Sequence, residues 1–328
     1  MTGQPAPAMT GQPAPAAAGQ PERVSVVICA FTEKRWDDTL AAVASVRGQS
    51  LAAHETILVV DHNPVLYQRL KAELPDVIVL ENRERQGLSG GKNTGVSAAH
   101  GEILAFLDDD AVAEPGWLKF LVDSYAEPAV TGVGGLTLPR WDTRRPSWFP
   151  GEFDWVVGCT YVGMPSSPTP VRNLHGGNAS FRRHAFDVAG GFLDGIGRSG
   201  GGLPGGGEET EFCIRLSQRD PDCVLLFDNR AVIWHRVSAE RCRFSYFAAR
   251  CYAEGLSKSL VAHSVGMADG LSAERRHALS TLPRGAARGL ADAVRGDAAG
   301  AGRSAAIVAG LAAATAGYLV GAVRGLLR

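Results

Sequence analysis

Three consecutive carboxylates, Asp108, Asp109 and Asp110, directly follow the apolar segment AFL. Neighbouring ionised carboxylates repel one another, and the cluster is costly beside apolar residues unless a cation or strong hydrogen-bond donors compensate its charge. In an extended backbone, Asp108 and Asp110 point to one side and Asp109 to the other. Because hard oxygen ligands favour Mg²⁺ or Mn²⁺, the triplet predicts a metal site that could bind a diphosphate. An acidic surface turn is the alternative.

A second acidic segment, GGGEETEF, contains Glu208, Glu209 and Glu211 after a run of glycines. One carboxylate in a site can act as a general base that removes the proton of an attacking hydroxyl group. An ordinary helix start is the alternative, because the helix dipole favours acidic residues in the first turn. His235 follows the apolar segment VLLFDNRAVIW. It could bind a metal or be a satisfied histidine at a strand edge, since nothing near it completes a metal-binding spacing.

Apolar and helical segments alternate in the first third of the chain. The apolar segments VSVVICA, TILVVD, VIVLEN and EILAFL have the pattern of strands, and residues 37–47 and 89–99 have the pattern of helices. This alternation predicts an α/β fold with a doubly wound, mainly parallel sheet and helices on both faces.

Polar side chains stand where these predicted strands end. Phe31, Thr32 and Glu33 follow the first strand, Asp61 ends the second, and Asp108 begins the triplet after the fourth. Ligands of such sheets bind beyond the carboxyl ends of the strands. We therefore expect these groups to converge on one crevice.

The segment GLSGGKNTG, which contains Gly90, Lys92 and Asn93, has features of a phosphate site. Glycines let a backbone approach a nucleotide closely, lysine offsets phosphate charge, and the amino end of a helix favours anions. Alternatively, Gly90 and Gly91 relieve crowding between a helix and the sheet. The glycine-rich residues 197–209 suggest a mobile loop that becomes ordered when a ligand binds.

Aromatic and basic residues are dense between residues 139 and 161. Tryptophans could stack on a sugar or a lipid and arginines could pair with a phosphate or a carboxylated sugar, although packing is the commoner use of tryptophan. The candidates are Trp141, Trp148, Trp155, Arg140, Arg144 and Arg145. In HGGNASFRR, Gly177 permits close backbone approach and Asn178 offers an amide to a sugar.

Charge and composition limit the partners. The net charge of -1 gives no whole-chain argument for nucleic-acid binding. Six cysteines without a CxxC pair suggest neither a zinc cluster nor a disulfide framework. Residues 236–328 contain 13 Arg or Lys and 6 Asp or Glu, a net charge of +7. The chain is thus most basic near its carboxyl end.

An uncharged stretch, residues 304–323, lies between Arg303 and Arg324 and is long enough to span a bilayer. Alanine and glycine dominate it, so a helix packed on protein or lying among lipid headgroups is also consistent. At the other end, residues 1–22 repeat a Pro- and Ala-rich unit and read as a disordered leader without the pattern of a secretory signal. We expect a cytoplasmic protein on the inner face of the cell membrane.

The ordered set of motifs resembles glycosyltransferase family 2 enzymes with a GT-A fold, over roughly Val24 to Val237. The matching segments are VSVVICAFTE, LVVDHNP, GLSGGKNTG, FLDDDA, HGGNASFRR, GGGEETEFCIRL and WHR. The resemblance implies a catalytic domain at 23–240, followed by a basic helical extension at 241–328. It also implies a metal-dependent, inverting sugar transfer from a nucleotide-sugar donor, with uracil the usual base.

The resemblance assigns roles to several residues. Phe31, Thr32 and Glu33 with Asp61 would hold the base, and Gly90, Lys92 and Asn93 would line the ribose or phosphate region. Asp108 and Asp109 would belong to the donor site, Asp110 would bind the metal, and His235 would reach the metal or the diphosphate. Glu209 stands where the family usually has an aspartate base, and Glu208 or Glu211 stays open as the base. Trp155, Gly177 and Asn178 are candidates for sugar or acceptor contacts.

The segment rich in Trp and Arg resembles that of glucuronosyltransferases acting on glucosyl dolichyl phosphate. This implies a polyprenyl-phosphate-linked acceptor, with other saccharides and small molecules also open. A nucleotidyltransferase is one alternative, although its usual Gly-rich, arginine-containing signature is missing after the first strand. A catalytically inactive carbohydrate-binding protein on a transferase fold is the other.

Overall fold

The computed structural model describes residues 22–196 and 205–326. The predicted leader, except for Glu22, and most of the predicted loop at 197–209 lie outside these residues. The predicted boundary between a catalytic domain and an extension near residue 240 stays a prediction.

The first part of the chain alternates strands and helices, as predicted. Its elements are β1 (Val24–Ala30), α1 (Trp36–Arg47), β2 (Glu55–Val60), α2 (Pro64–Glu73), β3 (Ile78–Glu81), α3 (Leu88–Ala98) and β4 (Ile103–Asp108). The strands are parallel in the order β3-β2-β1-β4. Helix α2 begins where it does because the Asn63 side chain accepts a hydrogen bond from the Leu66 amide and Pro64 occupies the first turn.

The second part extends the same sheet to nine strands with mixed directions. Its elements are β5 (Ala111–Ala113), α4 (Trp117–Ser124), β6 (Val130–Trp141), β7 (Thr169–Pro170), β8 (Asn178–Arg182), α5 (His184–Ala189), α6 (Glu208–Arg219) and β9 (Val224–Val237). Strand β8 lies antiparallel between β4 and β6, whereas β6 and β9 are parallel. The short β5 pairs antiparallel with β9, which brings the residues after β4 beside His235.

Apolar side chains cover both faces of the sheet. Alternate residues of β1 point to opposite sides: Val26 and Ile28 join one buried cluster with α1, α2 and α4, and Val27 joins another with α3, α5 and α6. These two layers account for the continuous apolar strands of the sequence. They also fix the carboxyl ends of β1, β2 and β4 at one edge.

Helices follow β9 to the end of the described chain. They are α7 (Phe244–Val265), α8 (Met267–Gly270), α9 (Ser272–Arg276), a π-helical segment His277–Thr281, α10 (Leu282–Val294) and α11 (Ala299–Leu326). Helix α11 packs on α7 and α10, and a third apolar cluster joins Ile307 of α11 and Phe247 of α7 to Phe149 and Phe153.

By length and composition alone, α11 is apolar enough to cross a membrane. One of its faces, however, is applied closely to α7. A side chain at Gly317 would overlap the carbonyl oxygen of Tyr252, and one at Gly255 of α7 would overlap that of Ala314. Small residues thus let the two backbones approach, while Val308, Leu319 and Val323 of α11 remain exposed.

Candidate active site

A cavity of about 450 Å³ lies between the carboxyl end of β4, the start of α6, and helices α7 and α11. Residues between Leu88 and Tyr318 line it, among them Lys92, Asp108, Trp155, His175, Gly177, Glu208, Glu209, Arg250 and Tyr318. The cavity therefore brings Asp108 together with Glu208 and Glu209, whereas Phe31, Thr32, Glu33 and Asp61 are not among its lining residues.

Asp108, Asp110 and His235 form a compact cluster at the end of β4. One possible ligand atom from each residue lies within 4.8 Å of the other two. His235 Nε2 is 3.2 Å from Asp110 Oδ1 and 4.0 Å from Asp108 Oδ2. Asp109 and Asp110 lie in the turn after β4 and not in the extended backbone that we expected, and Asp109 accepts a hydrogen bond of 2.6 Å from Arg35 Nη1.

Two arginines that the sequence analysis did not single out also reach this cluster. Asp110 Oδ2 lies 3.0 Å from Arg35 Nη2 and 3.3 Å from Arg241 Nη2. Burial by itself would raise the pKa of the Asp110 carboxyl, but His235 and the two guanidinium groups hold it well below the usual value. For Asp109 burial prevails over Arg35 and raises the pKa to about 7. Asp110 is thus the buried carboxylate that stays ionised.

The cluster fits a hard divalent cation. It offers oxygens from two carboxylates and one imidazole nitrogen, a donor set that Mg²⁺ and Mn²⁺ accept. Within residues 22–196 and 205–326, buried polar atoms here also lack a hydrogen-bond partner, namely Asp109 Oδ2 and His235 Nδ1. Burying a polar atom without a hydrogen-bond partner costs free energy, so these atoms indicate a site that is completed by a bound ligand or ion.

The glutamates at the start of α6 differ in their surroundings. Glu208 Oε1 lies 3.0 Å from the Lys92 ammonium, and both side chains are almost fully buried. Burial would raise the pKa of Glu208, but the Lys92 charge outweighs it and lowers the pKa. For Glu209, burial and then the negative charge of Glu208 raise the pKa to about 7. A carboxyl group with that pKa can exchange protons near neutrality.

Glu211, the third open choice for the base, points elsewhere. Its side chain is fully buried and binds Arg215 at 2.8 Å and the Ser264 hydroxyl at 3.2 Å. It is not among the residues that line the cavity. Its ion pair lies within α6, and the hydrogen bond from Ser264 of α7 holds α6 against α7.

The residues predicted to hold a base are tied together at the ends of β1 and β2. Asn63 Nδ2 donates to the Phe31 carbonyl oxygen at 3.2 Å and to Glu33 Oε2 at 3.1 Å. Asp61 accepts hydrogen bonds from Asn82 Nδ2 at 2.6 Å and from the Gly87 amide at 3.0 Å. The Phe31 ring is 51% exposed, so it is available for stacking. Thr32 caps the short turn that follows by accepting from the Lys34 amide.

The structure shows the contacts of three residues in the GLSGGKNTG segment. Lys92 donates to Glu208 Oε1 and also lines the cavity, so its phosphate role stays a prediction. Both ends of the Asn93 amide bind the backbone of Phe192, at 2.9 and 2.8 Å. A side chain at Gly90 would overlap the Arg85 carbonyl oxygen, so this glycine serves a close contact within the protein. This contact is with the loop before α3; the alternative of crowding between helix and sheet fits Gly91, where a side chain would lie 3.3 Å from Cys29 Sγ of β1.

Asn178 is also placed differently from the prediction of a sugar contact. Its side chain is fully buried, accepts from Trp117 Nε1 at 2.8 Å, and donates to the carbonyl oxygens of Leu136 and Ala231. It is therefore satisfied inside the sheet. Gly177, by contrast, lines the cavity, and a side chain there would overlap the Asp108 carboxylate.

The aromatic and basic segment divides in a similar way. Trp155 lines the cavity, whereas Trp141 and Trp148 pack against Phe149. The Arg145 guanidinium binds Asp154 at 2.7 Å. Neither Arg145 nor the other two predicted arginines, Arg140 and Arg144, is among the residues lining the cavity. The basic groups of the cavity are Lys92 and, from later in the chain, Arg172, Arg250, Lys258 and Arg275.

The chain matches the family model described as glycosyl transferase family 2 over residues 25–190. It is 33% identical over 243 residues to the glucosyl-dolichyl phosphate glucuronosyltransferase of Haloferax volcanii, and the match covers 73% of this chain and 77% of that protein. These matches support sugar transfer over the nucleotidyltransferase alternative.

Two solved structures are similar in fold. A mannosyltransferase from Pyrobaculum calidifontis, in complex with GDP-Man and Mn²⁺, has a TM-score of 0.57 at 19% identity, covering 94% of this chain and 88% of that one. GalNAc-T7 with UDP, GalNAc and Mn²⁺ has a TM-score of 0.50 at 20% identity, covering 67% of this chain and 44% of that one. The predicted GT-A fold is thus confirmed. The chain belongs to glycosyltransferase family 2, and it is a glycosyltransferase that uses a nucleotide-sugar donor.

Proposed function

We propose that this enzyme transfers a sugar, with inversion, from a nucleotide diphosphate to a hydroxyl group of a lipid-linked saccharide, using Mg²⁺ or Mn²⁺. The observation that supports it most is that two chemically distinct groups of carboxylates meet at one cavity through Asp108 and Glu209. Asp108 belongs to the cluster with Asp110 and His235 that can hold a cation, and it lines the cavity together with Glu209, whose pKa is raised to about 7.

Glu209 acts as the general base in this proposal. Its carboxylate accepts the proton of the acceptor hydroxyl as that oxygen forms a bond to the anomeric carbon and the bond to the nucleotide diphosphate breaks. One displacement from the opposite face inverts the configuration. Glu208 keeps its negative charge beside Lys92, and this charge raises the proton affinity of Glu209.

The donor is held by groups around the Asp110 cluster. A bound divalent ion supplies Lewis-acid neutralisation of the diphosphate as the nucleotide departs. Arg35 and Arg241 lie within 3.3 Å of Asp110 and add positive charge at the same place. Phe31, Thr32, Glu33 and Asp61 form the base side, with uracil the proposed base.

A membrane-bound acceptor agrees with the surface of the helical extension. The Haloferax relative is named for a dolichyl phosphate substrate. Exposed apolar side chains occur on α10 and α11, and residues 236–328 have a net charge of +7. Since one face of α11 packs on α7, we propose that its other face lies in the headgroup region of an anionic bilayer, on the cytoplasmic side.

Asp110→Ala removes a carboxylate ligand of the proposed metal. We expect the rise in melting temperature that UDP produces in the presence of Mn²⁺ to be lost, because the nucleotide then lacks its bridging cation. Thermal unfolding with UDP, with Mn²⁺ and with both measures this rise within each variant. Asp123→Ala, at an exposed aspartate of α4, is the control. An unchanged Mn²⁺-dependent rise in Asp110→Ala would contradict the assignment.

The pH dependence of transfer tests the base. Glu209 must be deprotonated to accept a proton, so kcat/KM should fall about tenfold per pH unit below a pKa of about 7 and level off above it. Glu209→Gln should retain UDP binding but lose about 10²-fold or more in kcat. Glu240→Gln, at an exposed glutamate, is the control. Equal transfer by the wild type and Glu209→Gln would eliminate Glu209 as the base.

Vesicle binding tests the bilayer contact. Val308→Ser with Leu319→Ser removes exposed apolar side chains of α11 and should weaken cosedimentation with phosphatidylglycerol and phosphatidylcholine vesicles by about tenfold. Val65→Ser, at a valine of α2 that is 61% exposed, is the matched control and should bind as the wild type does. Equal binding by all three proteins, or binding unaffected by salt, speaks against this surface.

A further inference from the structure

A row of alternating charges forms one wall of the cavity. Arg250, Glu254 and Lys258 follow one another at four-residue spacing on α7, and Glu274 of α9 and Arg172 continue the row. The contacts are 2.7 Å from Arg250 to Glu254, 3.4 Å from Lys258 to Glu254, 2.7 Å from Lys258 to Glu274 and 2.7 Å from Arg172 to Glu274. Three cations and two carboxylates leave a net charge of +1.

The two ends of this row differ in how fully they are paired. Arg172 binds both oxygens of Glu274, the Asn173 side chain and the backbone oxygen of Asp269. Arg250 donates from Nη1 to Glu254. Its Nε is buried without a partner among the residues that the structure describes. The surplus positive charge is therefore least compensated at Arg250.

Arg250 lies at the catalytic end of the cavity. Its guanidinium carbon is 5.6 Å from the centre of the Trp155 ring, and its Nη2 lies beside Gly206, which precedes Glu208 and Glu209. The residue is only 8% exposed and is one of those that line the cavity, so it borders the cavity and not bulk water. A buried guanidinium with unused donors is a strong site for a carboxylate or a phosphate oxygen.

We propose that the Arg250 guanidinium binds an anionic group of the substrate beside the reacting sugar. Two sources have this chemistry: a carboxylate on the donated sugar and the phosphate of a lipid-linked acceptor. The inference rests on the proposed function, which brings both substrates into this cavity. Arg250 would thus make the cavity selective for anionic ligands, which Arg140, Arg144 and Arg145 cannot do because they do not line it.

Binding measurements on matched ligand pairs test this assignment. Isothermal titration with Mn²⁺ compares UDP-glucuronate with UDP-glucose, and titration without nucleotide compares a short-chain prenyl phosphoglucose with octyl glucoside. The proteins are the wild type, Arg250→Gln, Arg250→Lys and the control Arg284→Gln, an exposed arginine of α10. Because Arg250→Lys keeps a cation beside Glu254, its preference for anionic ligands can be measured even if Arg250→Gln folds poorly.

We expect the wild type to prefer the anionic member of at least one pair, and Arg250→Gln to reduce that preference by about tenfold or more. Arg250→Lys should retain part of it, and Arg284→Gln all of it. A reduced preference in the first pair identifies the sugar carboxylate, and in the second pair the acceptor phosphate. Absence of any preference in the wild type, or the same preference in Arg250→Gln, overturns the proposal. Binding of UDP with Mn²⁺, measured without a sugar or an acceptor, tests the proposed donor site independently of Arg250.

Discussion

The active site is organised by the need to compensate the carboxylates buried at the end of β4. Asp110 is an ionised group in a dry place, and such a charge is tolerated only with close partners. Those partners come from three separate segments: Arg35 before α1, His235 on β9 and Arg241 after it. The contacts that compensate the Asp110 charge therefore join the two parts of the sheet, and the pairing of β5 with β9 joins them as well.

The same rule divides the rest of the cavity into groups that are neutralised and groups that are left available. Lys92 pairs with Glu208, and Lys258 pairs with both Glu254 and Glu274. Two groups are less fully paired: Glu209, whose proton affinity is raised by burial and by Glu208, and Arg250, whose Nε has no partner within the described residues. Buried ion pairs thus set which side chains can act on a substrate.

Much of this fold could be predicted because its physical signals are local. Continuous apolar strands and helical spacing gave the α/β alternation and placed Asp108 and Asp110 at the end of a strand. The directions of β6, β8 and β9 could not be predicted from the sequence, because long connections separate these strands from their neighbours in the sheet. Side-chain partners could not be predicted for the same reason. Lys92 and Glu208 are 116 residues apart, and a motif indicates residue types but not their partners. Asn93 and Asn178 bind backbone groups that only the folded chain supplies.

We propose that a cation is held between Asp110 and His235 and meets the nucleotide diphosphate there. The most direct measurement is a crystal structure with UDP and Mn²⁺, with anomalous diffraction recorded at the manganese edge. We expect one anomalous peak in contact with both side chains and with the diphosphate. Manganese and UDP bound together at a place that neither Asp110 nor His235 touches would contradict it.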